Sequence, residues 1–238
     1  MKTKLKELYN KIDKSHPFIG TLIQRIYRKK ALNTIHKEIH GKNNTINCKF
    51  AILSSVNIDI IGDGNKIEIM EGCFLNSVTF RIRGNNHRIL INNHCNLSGG
   101  KIWIEDSNCS LIIGERSTFG EVHLALTEPG SQIKIGRDCM FASDIDVRTG
   151  DSHSIISLER NERINYAKDI SIGDHVWIAA HCYLLKGTSI PENSVVAIGS
   201  IVTRSYKTKG IIIGGNPSTQ LKEGITWSRE RIYKDHLI

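Results

Sequence analysis

Few side chains in this sequence can do chemistry at neutral pH: ten histidines and six cysteines. The cysteines are Cys48, Cys73, Cys95, Cys109, Cys139 and Cys182. They form no CxxC pair, so neither a redox dithiol nor a zinc knuckle is indicated, and no metal site is expected. Among the histidines, His153 stands out. It sits in a polar stretch, Arg148-Thr-Gly-Asp-Ser-His153-Ser, two residues after Asp151. An imidazole titrates near pH 6.5, to within about a unit, and can take the proton of an attacking hydroxyl. Asp151 could orient that ring, although an Asp following Gly is also a common turn residue.

The elements that must position these residues declare themselves through a repeat. Ile172, Ile178, Leu184, Ile190, Val196 and Val202 fall at every sixth residue. Four positions after the first five come Val176, Cys182, Thr188, Ser194 and Ser200, all small or β-branched. Neither helical nor simple strand periodicity yields this pattern. A period of six means short strands joined by tight corners, with the aliphatic residue inside and the small one near a corner. Upstream, Ile67-Glu-Ile69, Ile89-Leu-Ile91, Leu111-Ile-Ile113 and Ile133-Lys-Ile135 recur every 22 residues, followed by Cys73, Cys95, Ser117 and Cys139. Three cysteines thus share one slot and read as small interior residues. Each of these strands follows a turn rich in Gly, Asn or Asp, such as Gly62-Asp-Gly-Asn or Gly84-Asn-Asn-His. The expected fold is all-β, a parallel β-helix over residues 41–205. The early coils carry about four extra residues each, expected in a wider turn. Periodicity leaves the hand open, and the general rule for crossovers prefers right-handed.

Three segments depart from the repeat. Ile135 to Ile172 is 37 residues rather than 22, and the excess falls within 148–169. A solenoid that ejects one long polar loop usually does so for function, and this loop holds one histidine, His153. Residues 1–40 form a basic N-terminal segment with ten Lys/Arg against three Asp/Glu. Residues 3–38 read as helical with a break near Pro17. The segment either caps the first coil, which we favour, or lies on an anionic membrane surface. Residues 206–238 form a C-terminal tail, helical or extended.

The net charge of +8 lies almost wholly in that basic segment. A near-neutral main domain argues against nucleic-acid binding. No apolar run approaches the roughly 20 residues of a membrane span, and the start lacks the apolar core of a signal peptide. A cytoplasmic protein is expected, with peripheral membrane contact through residues 1–40 as a further option.

The order and spacing of Thr149-Gly-Asp-Ser-His153, Ile172-Gly-Asp-His-Val-Trp177-Ile, Val196-Ala-Ile-Gly-Ser-Ile-Val-Thr203-Arg204 and Gly214-Gly-Asn-Pro217 resemble the left-handed β-helix acyltransferases of the hexapeptide family. The branch it is most similar to is that of sugar and polysaccharide O-acetyltransferases. The resemblance implies a left-handed coil, a homotrimer, and acetyl-CoA in a groove between subunits. His153 matches the family's general base, with Asp151 as its possible orienter. His123 lies near a polar active-site position, an asparagine in galactoside enzymes, after a one-residue shift; acceptor contact is implied. Trp177 matches the indole lining the acetyl-CoA channel. Ala180 and Ile198 match positions touching the pantetheine arm through backbone groups. Thr203 and Arg204 match a Thr-Lys pair near the adenine and phosphates. Thr219 stands where the family often has a basic residue, and Lys222 matches a second basic position. His175 and His181 fall at outward hexad positions and read as solvated.

The function expected is acetyl-CoA-dependent O-acetylation of a sugar hydroxyl in a capsular polysaccharide, O-antigen or related glycan. Alternatives are an amino-sugar or antibiotic N-acetyltransferase and a non-catalytic β-helix scaffold. The loop carries one aromatic, Tyr166, and the charges Glu159, Arg160, Glu162 and Arg163, which favours a polar or charged acceptor.

Overall fold

The computed structural model describes residues 34–233, and these contain no α-helix. Three sheets of eight, seven and nine strands, parallel except for the last strand of the third, form the walls of a prism, and a two-stranded hairpin stands apart. Each coil passes from the second sheet to the third, then to the first. Lys66–Ile69, Phe74–Asn76, Thr79–Arg83 and then Arg88–Ile91 trace one circuit.

Alternation along each strand decides what faces in. Val56–Ile61 buries Val56, Ile58 and Ile60, and Lys66–Ile69 buries Ile67 and Ile69. Register then stacks like on like. Ile69, Ile91, Ile113, Ile135, Ile172 and Ile190 form one column on the second sheet, each paired with the next. Phe119 and Phe141 stack on the third sheet at 4.6 Å. No coil buries its aliphatic face alone, so stability comes from neighbours. Truncating the fully buried Ile113 to alanine would cost about 2–5 kcal/mol.

The repeated small slot is an interior corner. Cys73, Cys95, Cys139 and Cys182 are buried and free, and Ser117 holds the equivalent place in its coil. Each donates to a carbonyl of a later coil: Cys95 Sγ to Gly114 O at 3.1 Å, Ser117 Oγ to Gly136 O at 2.9 Å, Cys139 Sγ to Gly173 O at 3.2 Å. The corner admits a small side chain and asks it for one donor. Burial pushes the Cys139 thiol up to about 11, so it remains protonated and can donate.

The extra residues of the early coils lie elsewhere than in a simple wider turn. First-sheet strands there run five or six residues, as in Thr79–Arg83, against two in Tyr183–Leu184. The corner after them is filled by a ladder of buried polar side chains, Asn65, His87, Cys109 and Ser131. Asn65 Nδ2 donates to Gly84 O at 3.0 Å and its Oδ1 accepts from His87 N at 3.0 Å. His87 Nδ1 accepts from Cys109 N at 3.2 Å, so the ring is neutral with its proton on Nε2, directed at Arg83 O. At the same edge Gly62 has φ +135°, and a Cβ there would lie 1.9 Å from Gly84 O. Only glycine permits that approach.

Both ends of the solenoid extend beyond 41–205. Ile35–His40 is a strand paired in parallel with Val56–Ile61, not the end of a helix. Its side chains beyond Ile35 are exposed, so it lacks the buried alternation that marks the later coils. The rest of the expected N-terminal helix lies outside the described residues. At the other end Ile212–Gly215 adds a parallel strand beside Val195–Val196, and Ser218–Lys222 folds back antiparallel to it. Over the described residues, to 233, the C-terminal tail is therefore extended.

Candidate active site

The ejected loop leaves the wall where the first sheet ends. Thr149 still belongs to the coil: it is buried and its N–H donates to Ala125 O at 3.1 Å. Lys168 N donates to Thr149 O at 2.9 Å and closes the neck. Between them the chain forms a hairpin, Ile156–Ser157 against Glu162–Arg163.

Asn165 is the hub of this loop. Buried to 7 % exposure, it donates from Nδ2 to His153 O at 2.7 Å and to Asp151 Oδ2 at 2.8 Å. Its Oδ1 accepts from Ile155 N at 2.7 Å and from Arg163 Nε at 3.1 Å. Two ion pairs tie the loop to the wall, Lys186 to Asp151 and Arg163 to Glu128. Burial raises the Asp151 pKa, but Lys186 and Asn165 outweigh it and hold the carboxyl below its ordinary range. The structure thus places Asp151 on Lys186 and Asn165, and its contacts do not include the His153 ring. His153 is exposed and held through its backbone carbonyl, which accepts from Asn165. Asn165 and Lys186 were missed in the sequence because neither carries a motif and their bonds to Asp151 and His153 span 12 to 35 residues.

His123 lies on the first sheet, on the strand adjoining the one that leads into the loop. It is paired with Asp146. Its Nδ1 is 3.3 Å from Asp146 Oδ2, and Arg148 grips the same carboxylate through Nε at 2.6 Å and Nη2 at 2.8 Å. Burial raises Asp146, and the His123 and Arg148 contacts more than offset it, so the carboxyl sits low and ionised. His123 Nε2 is buried with no hydrogen-bond partner among the described residues. The ring lies parallel to Trp103, with centroids 6.0 Å apart. An open cavity of about 530 Å³ adjoins this cluster, lined by Lys101, His123, Asp144, Asp146 and Tyr183 among others. Asp146 was not foreseen: it pairs with His123 across 23 residues, where the two preceding first-sheet steps are 22.

The remaining candidates fall on two corners. Trp177 lies half-buried on the third sheet, between Met140 and Val195. Ala180 and Ile198 stack on the corner that follows, where Gly199 N donates to Ala180 O at 3.0 Å, and Ile198 is 68 % exposed. Thr203 and Arg204 are exposed on the opposite side of the first sheet, next to Ser205, whose Oγ donates to Gly187 O at 2.8 Å. That places them beside Lys186 and the loop neck. Lys222 is exposed at the end of the returning strand. His181 is solvated as expected, loosely paired with Asp144. His175 is not: its ring stacks on Trp227 at 4.2 Å, and Nδ1 lies 2.9 Å from Asp138 Oδ2. The tail that covers it returns from 52 residues downstream, beyond the reach of hexad periodicity. Among the described residues no cluster of His, Cys, Asp or Glu could hold a metal ion.

No protein-family model matches the chain. Individual proteins do. It is 37% identical over 191 residues to the polysialic acid O-acetyltransferase of Neisseria meningitidis, covering 80% of this chain and 88% of that protein. The crystallographically analysed polysialic acid O-acetyltransferase OatWY superposes with a TM-score of 0.80 at 34% identity, covering 83% of this chain and 93% of the other. The polysialic-acid-specific acetyltransferase NeuO gives a TM-score of 0.77 at 28% identity, over 85% and 92% of the two chains. Likeness along nearly the whole length of these proteins, in sequence and in coil geometry alike, carries more than a shared repeat could. The chain belongs to the O-acetyltransferases of the left-handed, hexapeptide-repeat β-helix family that includes the polysialic acid O-acetyltransferases.

Proposed function

We propose that this enzyme transfers the acetyl group of acetyl-CoA to a hydroxyl of an acidic capsular glycan, with His153 as general base. The observation that carries the reading is the loop. Asn165, Lys186 and Arg163 spend their hydrogen bonds on its backbone, on Asp151 and on Glu128 of the wall, which fixes the loop and leaves the His153 ring free to meet an acceptor. An uncharged hydroxyl is a poor nucleophile, and an imidazole accepting its proton at a ring nitrogen during attack is the chemistry needed. Asp151 acts on His153 indirectly, by anchoring the turn between them through Lys186 and Asn165. His123, held by Asp146, contacts the acceptor beside Lys101 in the first-sheet cavity.

The exposed groups suit an anionic thioester donor. Arg204 and Lys222 supply cationic charge, Thr203 a hydroxyl, and Trp177 with the corner at Ala180 and Ile198 an apolar strip with open backbone. Acetyl-CoA supplies the activated carbonyl. These groups lie on either side of the first sheet, which favours a donor shared between copies in a homotrimer. The hairpin supports the same assembly: Ile155, Leu158 and Ile164 are 54%, 99% and 51% exposed, an apolar surface on a polar solenoid. Residues 34–233 contain no helix long and apolar enough to cross a membrane. We place the enzyme in the cytoplasm, with residues 1–40 capping the coil or touching the membrane face.

The test is thiol release from acetyl-CoA with polysialic acid, neutral polysaccharides and free amino sugars as acceptors. Release that requires the acidic glycan supports the reading. Equal release with amino sugars would turn it to N-acetylation, and no binding of CoA by calorimetry would overturn it.

A further inference from the structure

The C-terminal strap lies across the third sheet, beside Trp177. After the returning strand, Ile225 N donates to Gly210 O at 2.9 Å and the chain turns back along the solenoid. Trp227 is 8 % exposed. Its Nε1 donates to His175 O at 2.8 Å, its own carbonyl lies 3.0 Å from His175 Nε2, and its ring stacks on that imidazole. Arg229 continues onto the coils below. It bonds Asp138 Oδ1 at 3.1 Å, Thr118 Oγ1 at 2.9 Å and Cys139 O at 3.1 Å, and its guanidinium sits 5.5 Å from the Trp227 ring.

This anchorage serves more than the tail. The Trp227 ring centroid is 6.1 Å from that of Trp177, tilted by 48°. That is a favourable aromatic geometry, and a side chain held on two faces loses its choice of rotamer. Without Trp227 the Trp177 indole would stand on a flat β-wall between Met140 and Val195, free on one side. His175 is the hinge of the arrangement, two residues before Trp177 and bonded to both Asp138 and Trp227.

We infer that Trp227 is a positioning residue for acetyl-CoA binding, fixing the Trp177 ring from the strap side. The inference rests on the reading that Trp177 lines the donor site. A purely structural tail latch would lower stability or affect donor and acceptor alike. A positioning role affects the donor alone and is recovered by another flat ring.

The experiment compares Trp227→Ala, Trp227→Phe and Trp177→Ala in the full chain. It measures calorimetric Kd for CoA, separate KM values for acetyl-CoA and polysialic acid, and melting temperature. Trp227→Ala is expected to raise the CoA Kd and acetyl-CoA KM about three- to tenfold, with acceptor KM unchanged. Trp227→Phe should return most of that loss. A Trp227→Ala enzyme with unchanged donor constants, beside a Trp177→Ala enzyme with raised ones, overturns the inference alone. Parallel rises in both KM values with a lowered melting temperature do the same. If Trp177→Ala itself leaves the donor constants unchanged, the donor-site reading fails and the inference with it.

Discussion

His123 and Asp146 are joined on the first sheet, Nδ1 to Oδ2 at 3.3 Å, with the far nitrogen of the ring buried and without a hydrogen-bond partner among the described residues. Nδ1 faces both Asp146 Oδ2 at 3.3 Å, which accepts, and Arg148 Nη2 at 3.4 Å, which donates, so in either neutral tautomer the hydrogen bond of Nε2 is unspent. A ring nitrogen with an unspent hydrogen bond beside a polar cavity suits a sugar hydroxyl, which both donates and accepts. His123→Ala is therefore expected to raise the KM for the glycan about tenfold or more, while the acetyl-CoA KM stays put. Separate titration of the two substrates checks this.

Asn165 holds the loop that carries His153. Replacing it by Asp removes the Nδ2 donor and sets a second carboxylate against Asp151. Turnover should fall about ten- to a hundredfold with the solenoid intact. Steady-state kinetics beside far-UV circular dichroism measures both.

His87 is buried and neutral, its pKa lowered by desolvation. Its folded value lies below the unfolded value of about 6.5. The unfolded chain therefore binds the extra proton first, and stability is full above that pH and lost as pH falls through the window below it. Melting temperature should decline on the acid side of about pH 6.5 in the wild type. His87→Asn, which copies Asn65 one coil earlier, should flatten that part of the slope.

The thiols offer a test of the interior. Five of the six cysteines are buried, Cys139 is pushed up to about 11, and burial also raises Cys109 and Cys182. Native protein treated with a thiol reagent should lose Cys48 first, and the others only on unfolding. Peptide mapping of the labelled protein reads the order.

The repeat was legible because β-helix stacking imposes one chemical demand at a fixed spacing: aliphatic at Ile69, Ile91 and Ile113, small at Cys73 and Cys95. The strand Ile35–His40 was not, since its side chains beyond Ile35 are exposed and His36, Lys37 and Glu38 read as a helical surface. Within the site, the His153 loop announced itself by breaking the period. Its supports did not. Asn165 and Lys186 matter through partners in the loop and Asp146 through His123 one coil earlier, and the tail that reaches His175 crosses the solenoid's own order. Periodicity describes what one coil does to the next. It is silent where a loop or a strap reaches across the walls.

Leu158 at the hairpin tip bears on assembly. At 99% exposure it packs on nothing among the described residues. In the proposed trimer it meets a neighbouring copy, and Leu158→Asp should shift the mass seen by light scattering from trimer toward monomer and lower activity with it.

The most direct measurement is acetyl transfer to polysialic acid by His153→Ala, followed as thiol release, with CoA affinity measured on the same sample. A general base predicts a loss of about a hundredfold to ten-thousandfold in kcat with CoA binding unchanged. A variant that turns over at the wild-type rate would contradict the assignment of His153 and leave the loop without its central role.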